Sequence, residues 1–131
     1  MSKEATKSGI SRIGSGDRKK DLHERLFDFA EMVKEFLSTI PSSLEYNTII
    51  THLSKSACSL STYSNDDKSV SSKTDFGHNP EISLRYLKES DCWLRITKRH
   101  VKEINKADLE YLIKESGELK SMLGTIVQKS R

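Results

Sequence analysis

Proline is scarce in this chain: Pro41 and Pro80 are the only two among 131 residues. Because proline breaks a helix interior, the stretches between and beyond them are free to form long helices. Cysteine is equally rare. Cys58 and Cys92 lie far apart and form no Cys-x-x-Cys pair, which excludes a disulfide scaffold and a zinc ribbon; two reduced, semi-buried thiols are expected instead. No apolar run approaches the roughly 20 residues of a membrane span. The opening "MSKEATKSGISRIGSGDRKK" (1–20) lacks the apolar core of a signal peptide. A cytoplasmic protein with no membrane partner is the expectation. Alternation of Val, Ile and Thr with polar residues never runs far, so strands are not expected.

What the chain does contain is charge. Charged residues make up 31% and apolar residues 34%, enough for one core in one domain if the apolar side chains are laid along helix seams. The charge is unevenly placed. Residues 1–20 carry six Lys/Arg against two acids, residues 21–66 three against seven, and residues 67–131 thirteen against ten. A net charge of +3 does not itself suggest nucleic acid, whereas local clustering of cations does.

Residues 1–16, rich in Ser, Gly and Lys, read as a flexible tail and residues 17–131 as a four-helix domain. "GSG" at 14–16 lacks both the preceding strand and the Gly-Lys-Ser/Thr of a phosphate loop. The first helix is predicted over 17–39. Its Leu22, Leu26, Phe29, Val33, Phe36 and Ile40 step by 4 and 3 in alternation, a heptad seam, and Pro41 ends it. Ser42 and Glu45 form a capping box for the second helix. That helix carries Ile50, Leu53, Ala57 and Leu60, with Leu44, Tyr46 and Ile49 beside them, then the hydroxyl-rich "SKSACSLSTYS", which suits close helix approach. The third helix starts at Thr74 or at Asn79-Pro80-Glu81 and runs to about His100. Asn105 caps the fourth, whose seam is Leu109, Leu112, Ser116, Leu119, Leu123 and Ile126. The fold expected is all-α: an antiparallel up-down four-helix bundle.

On a helical wheel, Ile96, Ile82, Trp93, Tyr86, Ser90, Ser83, Leu94 and Leu87 spread over about half the circumference of the third helix, against little more than 100° for a bundle seam. Either neighbouring helices wrap deeply, or a second copy covers the side bearing Trp93, Ile96 and Tyr86. Gly117 and Gly124, seven apart on the fourth helix, each weaken it by about 1 kcal/mol relative to Ala and suggest a close backbone approach there. Opposite the apolar arc, Arg85, Lys88, Arg95 and Arg99 fall within about 80°. Lys98 and Lys102 continue this stripe toward the next turn. Such a stripe either is simply solvated or tracks phosphates. It has no interleaved aromatics, so base stacking is not expected.

No histidine has Glu three positions before it, so the di-iron pattern is absent. His23-Glu24 has Phe27 where a zinc helix needs histidine. No metal or other cofactor is expected. Glu89 and Asp91 point to different sides of a helix, and Glu89 is the one expected to be partly buried beside a base. An enzyme is not expected.

The segment "LRYLKESDCWLRI" (84–96) resembles, through Lys88, Glu89, Trp93 and Leu94, the third-helix signature of a bacterial family of small four-helix-bundle proteins. "SMLGTIVQKSR" (121–131) is similar to that family's closing helix. Its members are encoded in intervening sequences of large-subunit ribosomal RNA genes and are related to the accessory variability proteins of diversity-generating retroelements. The resemblance covers residues 18–131. It implies a homopentamer whose basic surface engages RNA or DNA and a reverse transcriptase. Arg85, Lys88, Arg95, Lys98, Arg99 and Lys102 are the candidate nucleic-acid contacts. The rival reading is a protein-interaction scaffold using the acidic first helix or the apolar flank of the third.

Overall fold

The alternating 4 and 3 spacings become four helices in the computed structural model, which describes residues 22–64 and 80–129. These are α1 (Leu22–Leu37), α2 (Leu44–Ser64), α3 (Pro80–His100) and α4 (Lys106–Lys129); no strand occurs among the described residues. The tail at 1–16, the start of the first helix at 17–21, the alternative start at Thr74, and Asn79 itself lie outside the described residues.

Local chemistry sets the ends of these helices. The amides of Thr39 and Ile40 turn back three residues, to the carbonyls of Phe36 and Leu37 at 3.0 and 3.1 Å, and the hydroxyls of Ser38 and Thr39 donate to the Glu35 and Phe36 carbonyls at 2.6 Å. Thus the orphan carbonyls of the last turn are satisfied before Pro41 ends it. Two serines compete to cap α2. Ser43, not Ser42, prevails, because only its oxygen lies three residues before an amide it reaches, that of Tyr46 at 3.0 Å. Ser42 Oγ is left to meet Asn47 Oδ1 at 3.3 Å, so the expected box with Glu45 is shifted by one residue. The described part of α3 opens on Pro80, a residue whose missing amide suits a first helical turn. Asn105 Oδ1 accepts the Asp108 amide at 3.0 Å, as the cap of α4 requires.

Each helix packs on the next in sequence, and α4 also packs back on α1, closing the circuit around one core. From α1, Leu26, Phe29, Val33 and Phe36 are buried, with Ile40 just beyond its end, and from α4 Leu109, Leu112, Ser116, Leu119 and Leu123. The expected seam of α2 is buried at Leu53, Ala57 and Leu60, joined by Ile49. Leu44, expected beside it, is 93% exposed, because it lies on the side of α2 opposite Leu53 and Leu60.

α3 is rotated from its hydropathic centre. Its inward residues are Ser83, Leu87, Ser90, Leu94 and Thr97, again spaced 4 and 3, but three of the five are hydroxylic. Small side chains allow α2 and α3 to meet closely enough for Ser56 and Ser90 to hydrogen-bond at 3.0 Å in the interior. Part of the wide apolar arc is covered within the chain. Trp93 stacks on His52 of α2, ring centres 4.9 Å apart and 7° from parallel, and Tyr86 stacks on Tyr63 at 5.8 Å. Trp93, Tyr86 and Ile96 are half-buried against the core.

Ser83 Oγ is buried and has no hydrogen-bond partner among the described residues, a cost of about 1–3 kcal/mol. In urea unfolding, Ser83→Ala is expected to leave stability unchanged or raise it, while Leu94→Ala loses about 2–5 kcal/mol. A Ser83→Ala loss as large as that of Leu94→Ala would contradict this packing.

Candidate nucleic-acid interface

The rotation of α3 decides which side chains look outward. With Leu87, Ser90 and Leu94 inward, positions 85, 88, 92, 95 and 99 share the opposite face. The six expected cations, Arg85, Lys88, Arg95, Lys98, Arg99 and Lys102, are all exposed, the last in the short connection to α4. Geometry divides them into two sets. Arg95 Nε donates to Asp91 Oδ2 at 2.9 Å, and Lys98 Nζ meets Glu110 Oε2 at 2.8 Å across to α4. Arg85, Lys88, Arg99 and Lys102 make no ion pair among the described residues. The Lys98–Glu110 pair is more than half exposed on both sides, where such pairs contribute 0–1 kcal/mol or so and exchange readily.

The described residues carry thirteen Lys/Arg and thirteen Asp/Glu, so placement, not net charge, makes the basic face. Its helix α3 carries five Lys/Arg against three acids, whereas α1 carries two against four. Glu89 is exposed at the border of this face.

On α3 the buried acid is Asp91, not Glu89. Asp91 is 5% exposed. Its Oδ1 accepts the Ser116 hydroxyl at 2.6 Å, and its Oδ2 accepts Lys120 Nζ at 2.9 Å as well as Arg95. Burial alone would push the Asp91 carboxyl up; the hydrogen bonds from Ser116, Lys120 and Arg95 outweigh it and hold the pKa below the ordinary aspartate value. Glu89 follows Ile82 and Ile96 on the wheel, and that flank faces outward beside α2. The signal for Asp91 was present: it stands four after Leu87, three before Leu94 and four before Arg95.

A second tie fixes the other side of α4. Arg25 donates through Nη2 to Glu115 at 2.8 Å and to Glu118 at 3.0 Å, and through Nε to Glu115 at 3.2 Å. Sequence reasoning missed this fork, because its partners are 90 residues apart.

The remaining expectations fare unevenly. Cys58 and Cys92 are free and exposed, not semi-buried, since each lies on the outward arc of its helix. A Cβ added at Gly117 or Gly124 would meet nothing within 4 Å, so no backbone among the described residues approaches them there. Among the described residues, no three His, Cys, Asp or Glu side chains converge as metal ligands, and no helix is long and apolar enough to cross a membrane. Comparison with protein-family models, curated proteins and solved structures finds no match to this chain.

Because the folded Asp91 carboxyl titrates below the roughly 3.9 of an unfolded aspartate, its contribution is fully present above that pH and is lost as pH falls through the folded pKa. Asp91→Asn is expected to lose on the order of 2–3 kcal/mol at neutral pH, with the gap to wild type narrowing below about pH 4. Urea unfolding across pH checks this; a gap independent of pH would contradict it.

Proposed function

We propose that this protein is a non-enzymatic helical-bundle accessory factor that self-associates and offers the outward face of α3 to the phosphates of RNA or DNA. One observation carries the reading: Arg85, Lys88, Arg99 and Lys102 are exposed, without ion pairs among the described residues, along one side of one helix and its exit. Cations left unpaired in a bundle otherwise balanced in charge are available to displace counterions from a polyanion. Arg95 is the fifth contact. Asp91 keeps Lys120 and Ser116 when Arg95 swings to a phosphate. Lys98 is released as readily from its exposed pair with Glu110.

The topology in this reading is an antiparallel up-down bundle. It is supported by pairs whose numbers rise on one helix as they fall on the next: His52 with Trp93, Ser56 with Ser90 and Tyr63 with Tyr86 between α2 and α3, then Asp91 with Ser116 and Lys98 with Glu110 between α3 and α4. A non-enzymatic role is supported by the state of Ser116 beside Asp91 and Lys120: its hydroxyl is fully buried and donates to Asp91, so it serves as a tie and not as a nucleophile. Free thiols accord with a cytoplasmic setting. The resemblance of residues 84–96 and 121–131 to the intervening-sequence and retroelement accessory proteins supports five copies and a reverse transcriptase as partner.

Binding to duplex DNA is expected to show a log–log salt slope of about −5, as six phosphate contacts imply. An Arg85→Glu, Arg99→Glu variant should bind at least tenfold more weakly, with the slope reduced by about two. Fluorescence anisotropy across salt concentrations reads both. Wild-type protein without salt-sensitive binding at about 50 mM salt would end the proposal.

A further inference from the structure

α2 differs from its three neighbours in composition. Only Glu45 and Lys55 of its 21 residues are charged, against eight of 21 in α3, six of 16 in α1 and eight of 24 in α4. A solvent-facing helix in a protein that is 31% charged would ordinarily carry its share on the outside. Instead the outward residues of α2 are Leu44, Thr48, Thr51, Lys55, Cys58 and Thr62, all exposed. Their spacing is 4, 3, 4, 3 and 4, which runs the length of the helix as a second heptad seam on the side away from Leu53, Ala57 and Leu60. Depletion of charge is what separates the centre of an interface from ordinary surface. Two further features lie on the same side. The side chains of Asn47, Thr48, Thr51 and His52 line a shallow, open hollow in the outer surface. The stacked pairs His52–Trp93 and Tyr63–Tyr86 border the seam toward α3, leaving Tyr63 39% exposed.

We propose that a second copy of this chain covers the outer seam of α2, with the two α2 helices antiparallel across a two-fold axis. A second copy is the occupant because this face, with Lys55 as the one charge on its seam, meets its own image without setting like charges together. A two-fold contact sets a patch against its own image, and the outward sides of α1 and α3 would bring together sets of like charge. The direction follows from Lys55. A 4-3-4-3-4 spacing is the same read forward or backward, so antiparallel helices place every seam residue opposite another. Thr51 then faces Lys55 of the partner subunit, Thr48 faces Cys58 of the partner subunit, and Leu44 faces Thr62 of the partner subunit. In parallel register the two lysines would face each other, at the centre of a contact that holds no other charge. The hollow at Asn47, Thr48, Thr51 and His52 then receives the partner's seam side chains at Lys55 and Cys58.

This inference rests on the self-association in the reading above but not on nucleic-acid binding, and it makes the number of copies even: two, or ten where the contact joins two five-membered rings. The test is disulfide mapping on full-length protein free of nucleic acid, in a Cys92→Ser background. With Thr48→Cys added, mild oxidation should give a covalent dimer on a non-reducing gel, because position 48 and Cys58 of the partner subunit are opposed. Cys58 alone should not cross-link, since two such residues are staggered by ten helical positions, roughly 15 Å. Efficient cross-linking through Cys58 alone would establish parallel helices and overturn the proposal, as would no cross-link in either protein. Sedimentation velocity supplies an independent reading: Thr51→Glu, which sets a carboxylate opposite Lys55 of the partner subunit, should tighten the dimer several-fold at low salt. Weakened association, or a wild-type particle of one or five protomer masses, would refute it. Failure here with salt-sensitive nucleic-acid binding intact would leave the α3 interface standing; the converse would leave the α2 contact.

Discussion

The carboxylate of Asp91 ties α3 to α4, and much of the molecule's surface follows from that tie. A buried charge is stable only when its lone pairs are filled, and Ser116 and Lys120 fill them from one side of α4. This fixes the rotation of α3 about its own axis. With Asp91 held toward α4, Trp93 and Tyr86 turn toward the rings of α2, and the arc centred on Cys92 turns to solvent. A rotation of one residue position, about 100°, would bury Arg95 or expose Leu94. The basic face is thus a consequence of a buried acid.

The same tie shapes the electrostatics of the interface. Asp91 brings a negative charge beneath the stripe, yet three donors offset it, two of them cationic. Arg95, with 59% of its side chain exposed, is the outermost partner and the one that leaves without stranding the carboxylate. Across the bundle, α1 holds the opposite sign, anchored through Arg25 to α4. Two polar ties, one on each side of α4, therefore set the placement of two oppositely charged faces, while α2 separates them as a nearly uncharged strip.

How legible this was in the sequence depended on what each position packs. α1 and α4 were readable because their inward residues are bulky and apolar: Leu26, Phe29, Val33 and Phe36, then Leu109, Leu112, Leu119 and Leu123. α3 was not, because Ser83, Ser90 and Thr97 occupy inward positions that hydropathy weights as neutral. The apparent centre of its apolar arc therefore drifted to the flank held by Trp93 and Ile96. The choice of Glu89 over Asp91 followed from that drift. The six candidate cations are exposed, four of them because they share the arc opposite Leu87, Ser90 and Leu94. Which of them were already engaged depended on Asp91 and Glu110, one of them brought by another helix. The uncharged outer seam of α2 was written in the residues but took meaning only once Leu53, Ala57 and Leu60 had claimed the inner side.

The rotation of α3 is most directly measured by cysteine scanning from position 83 to position 99, reading thiol labelling rates in the native protein. The account predicts rates with a period near 3.6 residues, highest at 85, 88, 92, 95 and 99 and protected at 83, 87, 90 and 94. Fast labelling at 87 and 94, with protection at 85 and 99, would place the basic arc inside the bundle and contradict the account at its root.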